Sequence, residues 1–495
     1  MEESEHLDPT IEINVETVKK RAVWGVVALT GRTFIISIIS LVATALLTVF
    51  LDPSQFGVFW VVSAVVNFLA YFSDVGLAAA IIQKKEEVSE EDLKTTFTVQ
   101  QILVIILLVV LYFLTPLAVK FYSLDQNGVF LLYSLGISLF LSSLKTIPSA
   151  MLERRLEFGK LILPQVLENL VYNIVAVVLA WKGFGVTSFT IAVLARGVVG
   201  LIAIYIVNPW VPGIAFSGTA LKKLLTFGIP YQINTFLAVI KDDGMTAVLG
   251  GILGTSGVGF LGWAQKWAKT PLRLFMDNVL KVTFPAFARM QNEKAHLERA
   301  VTRSVFFVCL LIYPSLVGIL VLAPMFVDII PRYSKWIPAL LPLYLIGIDT
   351  VFGAATTPLT NLLNSIGKIK TTFKLMIMWT VLTWALVPFL SLRFGVNGAA
   401  VGYAIVSSSS VVAIYITKKY VNFSITDSIA KPFVASILMG PIILVLRGLL
   451  PTNITSVWII AVVGSVSYAL FILVMVGKSI VEDVKRSAKT IFSKE

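Results

Sequence analysis

The chain has 495 residues, 57% hydrophobic and only 14% charged, far below the roughly 25% charge that covers a soluble globular surface. Its mean hydropathy of +0.88 points the same way. These values exclude a soluble enzyme, a disordered chain and a nucleic-acid module, and they lead us to expect an all-α polytopic membrane protein whose net charge of +12 reports lipid topology rather than a nucleic-acid partner.

The chain opens on an acidic, polar stretch, Met1–Glu16, and Lys19, Lys20 and Arg21 precede the first apolar run. That run is too long for the short core of a cleavable signal, so it is expected to stay as an anchor. A helix crosses the hydrocarbon core in about 20 residues. Apolar segments of that order fall near 23–50, 57–82, 97–119, 129–150, 161–181, 186–208, 224–250, 257–288, 304–328, 337–363, 375–392, 396–416, 432–449 and 456–476, which predicts about fourteen transmembrane helices. With the N-terminus in the cytoplasm and alternating spans, 27 of the 40 Lys and Arg lie on the cytoplasmic side and 6 on the outer side. This is the bias of the positive-inside rule. It implies a multi-pass protein of the cell (inner or plasma) membrane with both termini cytoplasmic. Outer loops are short, near ten residues at most, so function is expected inside the bilayer.

Three short patterns recur at a nearly constant offset. Leu51-x-x-Ser54-x-x-Gly57 returns as Leu253-x-x-Ser256-x-x-Gly259; Pro148-x-x-x-Leu152 with Gly159-Lys160 returns as Pro358-x-x-x-Leu362 with Gly367-Lys368; Phe184-Gly185-Val186 returns as Phe394-Gly395-Val396. The repeat is parallel and predicts a tail over 1–21, a six-helix lobe over 22–215, a second over 220–420, two further helices over 430–476, and a tail over 477–495. Two similar lobes suit alternating access, with substrate near the midplane.

Ionisable residues within spans are costly and mark function. In the eighth span Lys266, Lys269, Arg273, Asp277 and Lys281 are spaced by three or four residues, which puts them within an arc of about 120° on one helix face. Four of the five are cations. The stripe reads as an anion site for phosphate, against the alternative of a salt-bridge ladder to Asp242, Asp243 and Asp277. Pro271 is expected to kink this helix as a gate. Arg32 lies roughly 16 Å of helix beyond Arg21 and either snorkels to the interface or faces a cavity. Arg196 and Glu168 are read as a structural pair. Asp74 is read as a helix-end cap, Asp349 as an isolated carboxylate. Asp74, Glu168, Asp242, Asp243 and Asp349 are the candidates for H⁺ or Na⁺ coupling.

Other patterns are bland. Ser407–Ser410 and Gly250-x-x-x-Gly254 are expected to be helix-packing motifs. The lone Cys309 forms no internal disulfide, and His6 and His296 lie outside apolar segments, so no metal site, cofactor site or catalytic triad is expected. No nucleotide-binding glycine loop is present, which argues against ATP-driven transport.

The chain resembles the polysaccharide-exporter branch (Wzx-type O-antigen or exopolysaccharide flippases) of the multidrug/oligosaccharidyl-lipid/polysaccharide superfamily. The resemblance rests on Pro53-x-x-Phe56-Gly57; on Ser73-Asp74-x-Gly76-Leu77-x-Ala79-Ala80-x-Ile82-Gln83-Lys84-Lys85, an acidic loop and Thr95-x-Phe97; and on Phe227-Gly228-x-Pro230-x-Gln232. It continues through Gly250, Gly259, Ala264 and Pro271, then Phe284-Pro285-Ala286-Phe287-x-Arg289-x-Gln291 and Lys335-Trp336-x-x-Ala339. It covers most of 20–420. Val49 stands where such proteins often carry a basic residue, which bears on head-group recognition. The resemblance implies a flippase, not an enzyme, that moves undecaprenyl-pyrophosphate-linked oligosaccharide to the outer leaflet. Arg32, Lys241, Lys266, Lys269 and Arg273 would then hold the pyrophosphate, with membrane lipid around the tail and a polysaccharide polymerase or chain-length regulator as candidate protein partners.

Three rival readings stand beside it. An ion-coupled multidrug or organic-cation exporter would need an acidic, aromatic cavity. An integral-membrane polysaccharide polymerase would need sizeable outer loops. A structural scaffold would not need the cationic stripe.

Overall fold

The computed structural model describes residues 15–84 and 86–477, with side chains described from Gly31 onward except at 230, 231, 233–235, 277, 278, 281 and 282. Residues 1–14 with His6, residues 478–495, and Lys85 lie outside the described residues, as do the side chains of Lys19, Lys20, Arg21, Pro230, Asp277 and Lys281.

Seventeen α-helices and no strand occur among the described residues. They are α1 (Val15–Phe50), α2 (Pro53–Ala70), α3 (Leu77–Gln83), α4 (Glu90–Tyr122), α5 (Gln126–Leu144), α6 (Thr146–Arg154), α7 (Phe158–Trp181), α8 (Thr187–Val207), α9 (Gly218–Val239), α10 (Met245–Ala268), α11 (Thr270–Met290), α12 (Lys294–Ile329), α13 (Leu340–Ser365), α14 (Ile369–Ser408), α15 (Val411–Tyr420), α16 (Lys431–Leu449) and α17 (Ile454–Val476). A π-helical turn, Ile240–Gly244, joins α9 to α10. An all-helical chain is what a hydrocarbon solvent demands, because each helix satisfies its own backbone polar groups.

Some helix starts carry ordinary capping chemistry. The Ser89 hydroxyl accepts from Asp92 N at 3.2 Å while the Asp92 carboxylate accepts from Ser89 N at 2.9 Å. Glu90, Glu91 and Asp92 then place negative charge at the positive end of α4. At α2, Asp52 N donates to the Gln55 side chain at 2.9 Å, and Pro53 occupies the first turn. Outward faces are apolar. Along α4, Ile102, Ile105, Ile106, Val109, Phe113 and Leu117 are exposed at helical spacing, a lipid-facing strip rather than a buried one.

Twelve stretches are long and apolar enough to cross a membrane, against the about fourteen predicted. The difference centres on two glycines. Gly254 (φ 66°, ψ 176°) lies inside α10 and Gly395 (φ 60°, ψ −140°) inside α14. Each breaks the helical backbone between two predicted spans, so that α10 and α14 each consist of two helices meeting at a kink within one long apolar stretch. In addition, α11, with Arg273, Asp277, Lys281 and Arg289, is not among the twelve. The Phe-Gly-Val repeat has a conformational meaning, since Gly185 (φ 55°) and Gly395 (φ 60°) both turn the chain through left-handed backbone.

The chain divides into two compact units, Met1–Gly259 and Phe260–Glu495, with the boundary inside α10. In the first, α7 packs on α1 and α8, α5 on α2 and α8, and the short α3 on α6 and α9. Leu77, Ile81, Leu93, Ile147 and Leu224 form a shared core there. In the second, α12 packs on α11, α13 and α16, and α16 on α17. Cys309, Ile312, Tyr313, Leu359 and Phe287 fill its centre. Between α12, α16 and α17 lies a largely apolar cavity of about 470 Å³.

Several hydroxyls inside these bundles are satisfied locally. Thr48, Thr115, Thr383 and Ser391 donate to the carbonyl four residues back. In the serine run, Ser407 and Ser408 both donate to Ala404 O, at 2.9 and 2.8 Å; the run is structural, as expected, and marks the turn between α14 and α15. The Gly250-x-x-x-Gly254 expectation holds only in part. A Cβ at Gly250 would come within 2.7 Å of Val61, but Gly254 has open space and serves the turn instead.

Candidate functional site

In the second unit the cationic stripe starts at the joint between α10 and α11. The joint arises at Lys269, with Pro271 at the second position of α11, where proline is tolerated because its missing N–H has no intrahelical role. Helical hydrogen bonds continue on both sides, from Lys269 N to Gln265 O (3.0 Å) and from Arg273 N to Lys269 O (3.1 Å). Lys266, Lys269 and Arg273 therefore keep a common face. The Thr350 hydroxyl of α13, itself buried, donates to Ala268 O at 3.1 Å, and Gly353 lies against Leu272. These contacts hold α13 along the joint.

That packing corrects one expectation. Asp349 is not isolated: its carboxylate meets the Lys269 ammonium at 2.8 Å. Lys266 and Arg273 have no carboxylate partner among the described residues, and Arg273 stands close enough to act on Lys266 electrostatically. The described site therefore holds three cations and one carboxylate. An excess of positive charge packed against apolar membrane helices is costly, and an anion relieves it.

In the first unit the π-turn presents Lys241, Asp242 and Asp243 together. Lys241 pairs with Asp242 at 3.0 Å, and Asp243 hydrogen-bonds Asn67 of α2. The extra residue of a π-turn often marks a functional position; no periodicity argument reveals it in advance. Arg32 donates to the Gln165 side chain of α7. It also lies near Glu153, whose carboxyl burial pushes up while the Arg32 guanidinium pulls it down. Arg32 therefore sits among partners within its own bundle. The carboxylate of Asp74 accepts from Ala78 N at 3.2 Å, the helix-end capping role expected of it.

Glu168 and Arg196 do pair, at 3.7 Å. A nearer partner is Lys145, at 2.7 Å. Gly200 makes room for the carboxylate: a Cβ there would fall 2.0 Å from Glu168 Oε1. Lys145, Gln165, Glu168, Ser142, Thr146 and Ser149 supply the polar part of the wall of a cavity of about 250 Å³.

The first unit also contains a seam in which α2 and the turn after it meet the segment 228–259 in antiparallel order. Gly57 lies against the Thr255 carbonyl and Gly259 against the Pro53 carbonyl, so close that a Cβ would fall 1.6 and 1.9 Å from those oxygens. These are the two copies of the Leu-x-x-Ser-x-x-Gly repeat, each offering its glycine to the other. Further along, Val61 packs on Gly250 and Asn67 on Asp243. Then the Tyr71 hydroxyl donates to Gln232 O, the Gln232 amide donates to Tyr71 O, and Gly76 (φ 76°) lies against the Gly228 backbone. Helices in lipid gain nothing from hiding apolar surface from water, so close backbone approach at small residues has to hold such a seam. Arg154, buried, supports it by donating to Ile81 O and Glu86 O at 2.9 and 3.0 Å, which ties down the end of α3. Among the described residues no group of three or more His, Cys, Asp or Glu is placed to hold a metal.

Residues 46–340 match the sequence family described as "Polysaccharide biosynthesis protein". The succinoglycan biosynthesis transport protein ExoT of Rhizobium meliloti is 24% identical over 63% of this chain and 62% of its own length. The lipopolysaccharide biosynthesis protein WzxC of Escherichia coli is 24% identical over 41% of each chain. These matches span less than two thirds of either relative. Among solved structures, the lipid II flippase MurJ in an inward closed conformation aligns with a TM-score of 0.76 at 17% identity, over 91% of this chain and 99% of that one. An inward-facing multidrug-resistance transporter of the MATE family aligns at 0.61 and 17% identity, over 77% of this chain and 94% of that one. At such identities the structural matches establish a shared fold.

Proposed function

The chain belongs to the polysaccharide biosynthesis protein family, and from that premise we propose that it is a flippase carrying undecaprenyl-pyrophosphate-linked oligosaccharide from the cytoplasmic to the outer leaflet by alternating access. The observation that carries this reading is the surplus of cations at the α10–α11 joint. Lys266 and Arg273 have no carboxylate partner among the described residues, and Lys269 meets the carboxylate of Asp349. Ammonium and guanidinium groups bind phosphate oxygens through charge-assisted hydrogen bonds, and a diphosphate diester brings two negative charges. Arg32 and Lys241, held in the first unit, are the further head-group candidates. The lipid tail stays in the bilayer, and both termini face the cytoplasm.

Coupling to H⁺ or Na⁺ would draw on carboxylates, since both histidines fall outside the apolar segments of the sequence. Of Asp74, Glu168, Asp242, Asp243 and Asp349, only Asp349 sits within the cation cluster. The two six-helix lobes, 22–215 and 220–420, would move against each other. The rival reading, an exporter of organic cations, needs acidic groups in excess where this cluster has cations in excess.

The test is made in cells with and without the gene, by measuring the lipid-linked oligosaccharide pool and the surface polysaccharide. Loss of the gene is expected to trap the intermediate and strip the surface polymer. Unchanged pools, with raised sensitivity to toxic cations, would replace this reading by the exporter.

A further inference from the structure

We infer that Asp349 is an internal counter-anion that occupies Lys269 while the cluster is empty and yields it to a diphosphate oxygen, so that the cluster accepts a dianionic head group and rejects the monoanionic phospholipids around it. The inference rests on the proposed reading of Lys266, Lys269 and Arg273 as the head-group site.

The geometry supports such an exchange. The Lys269–Asp349 contact is 2.8 Å, a fully formed ion pair, yet both side chains keep about a third of their surface exposed (32% and 27%). An incoming ligand can therefore reach them. The position of Asp349 is built, since the buried Thr350 hydroxyl pins α13 to Ala268 O directly beside the joint. Carboxylate and phosphate oxygens are both acceptors for the three ammonium protons, so the swap trades one charge-assisted hydrogen bond for another and leaves no proton unpaired.

The selectivity follows from charge. A bilayer offers monoanionic head groups at high concentration, and three cations without an internal counter-anion would hold them. With Lys269 already neutralised, a monoanion meets only Lys266 and Arg273 and must displace a tethered carboxylate to gain more. A diphosphate bridges Lys266 and Arg273 and still has oxygens left to displace Asp349. An internal anion therefore weakens both ligands but the monoanion more, which is discrimination by repulsion as well as attraction.

The experiment uses the full chain in nanodiscs of zwitterionic lipid. Farnesyl diphosphate is titrated with and without added phosphatidylglycerol as competitor, in the wild type, Asp349→Asn, Lys269→Gln and the double variant. Asp349→Asn is expected to bind farnesyl diphosphate at least about fivefold tighter and to become sensitive to phosphatidylglycerol. Most of that gain should vanish in the Lys269→Gln background. Unchanged or weaker binding by a folded Asp349→Asn protein overturns the inference, as does an equal gain in the Lys269→Gln background, which would mean plain repulsion without exchange. Where Asp349→Asn does not fold, Asp349→Ser, which leaves Lys269 a neutral acceptor, carries the same expectations. If Lys269→Gln alone leaves binding unchanged, the head-group site itself is refuted.

Discussion

Tyr71 and Gln232 exchange hydrogen bonds: the tyrosine hydroxyl donates to the glutamine's backbone carbonyl, and the glutamine's side-chain amide donates to the tyrosine's. Neither bond survives loss of the other side chain's register, so the pair should be energetically coupled. Tyr71→Phe and Gln232→Leu are each expected to cost about 1 kcal/mol. In a double-mutant cycle of thermal unfolding in detergent, a coupling of about 0.5–1.5 kcal/mol is expected, the range found between transmembrane helices. Strictly additive effects would show that the two bonds do not act as a unit.

At the other end of the seam, Gly57 and Gly259 leave no room for a side chain. Gly57→Val or Gly259→Val has to push backbone away from backbone. Overpacking ordinarily costs about 1–3 kcal/mol, and rigid carbonyls put these sites at the upper end. Insertion is expected to persist while transport fails, since the seam cannot close. The measurement is surface polysaccharide against membrane abundance of each variant, and normal export by Gly259→Val would mean that closure at this end is not needed.

The Lys145–Glu168 pair distinguishes structure from coupling. Both side chains are about seven-eighths buried, with 14% and 13% exposure. Glu168→Gln leaves an ammonium in a small cavity with its partner gone and is expected to destabilise by about 3–5 kcal/mol, whereas Lys145→Met with Glu168→Gln is expected to recover most of that loss. Thermal unfolding of the single and double variants checks this. If the rescued double variant also exports normally, Glu168 is structural and leaves the coupling candidates.

Much of the fold is legible in the sequence because lipid leaves few choices. Apolar runs must be helices, and the Lys and Arg bias suggests their direction. The motif stretches Ser73–Lys84 and Phe227–Gln232 prove to be neighbours: Gly76 and Gly228 touch, and Gln232 reaches Tyr71. The two glycines of the recurring Phe-Gly-Val pattern, Gly185 and Gly395, both take left-handed backbone. The partner of Lys269 is not legible. Asp349 lies on another helix, and helical periodicity relates residues only within one helix. Lys145 escaped for the opposite reason. Its place at the end of α5 reads as a loop charge, while its long stem carries the ammonium inward to Glu168. The π-turn at Ile240–Gly244 has no sequence signature, and it alone decides which way Lys241, Asp242 and Asp243 project.

The cations of the α10–α11 joint are the groups proposed to carry a diphosphate head group across the membrane. The direct measurement is lipid translocation in vesicles that hold the purified chain. A diphosphate-linked isoprenoid oligosaccharide is loaded in both leaflets, and its accessibility to a membrane-impermeant lectin is followed with time. The wild type should expose the inner-leaflet pool far faster than protein-free vesicles, and Lys266→Gln with Arg273→Gln should fall to the protein-free rate while retaining its thermal stability. A wild-type rate no faster than protein-free vesicles, or a double variant as fast as the wild type, would contradict the account.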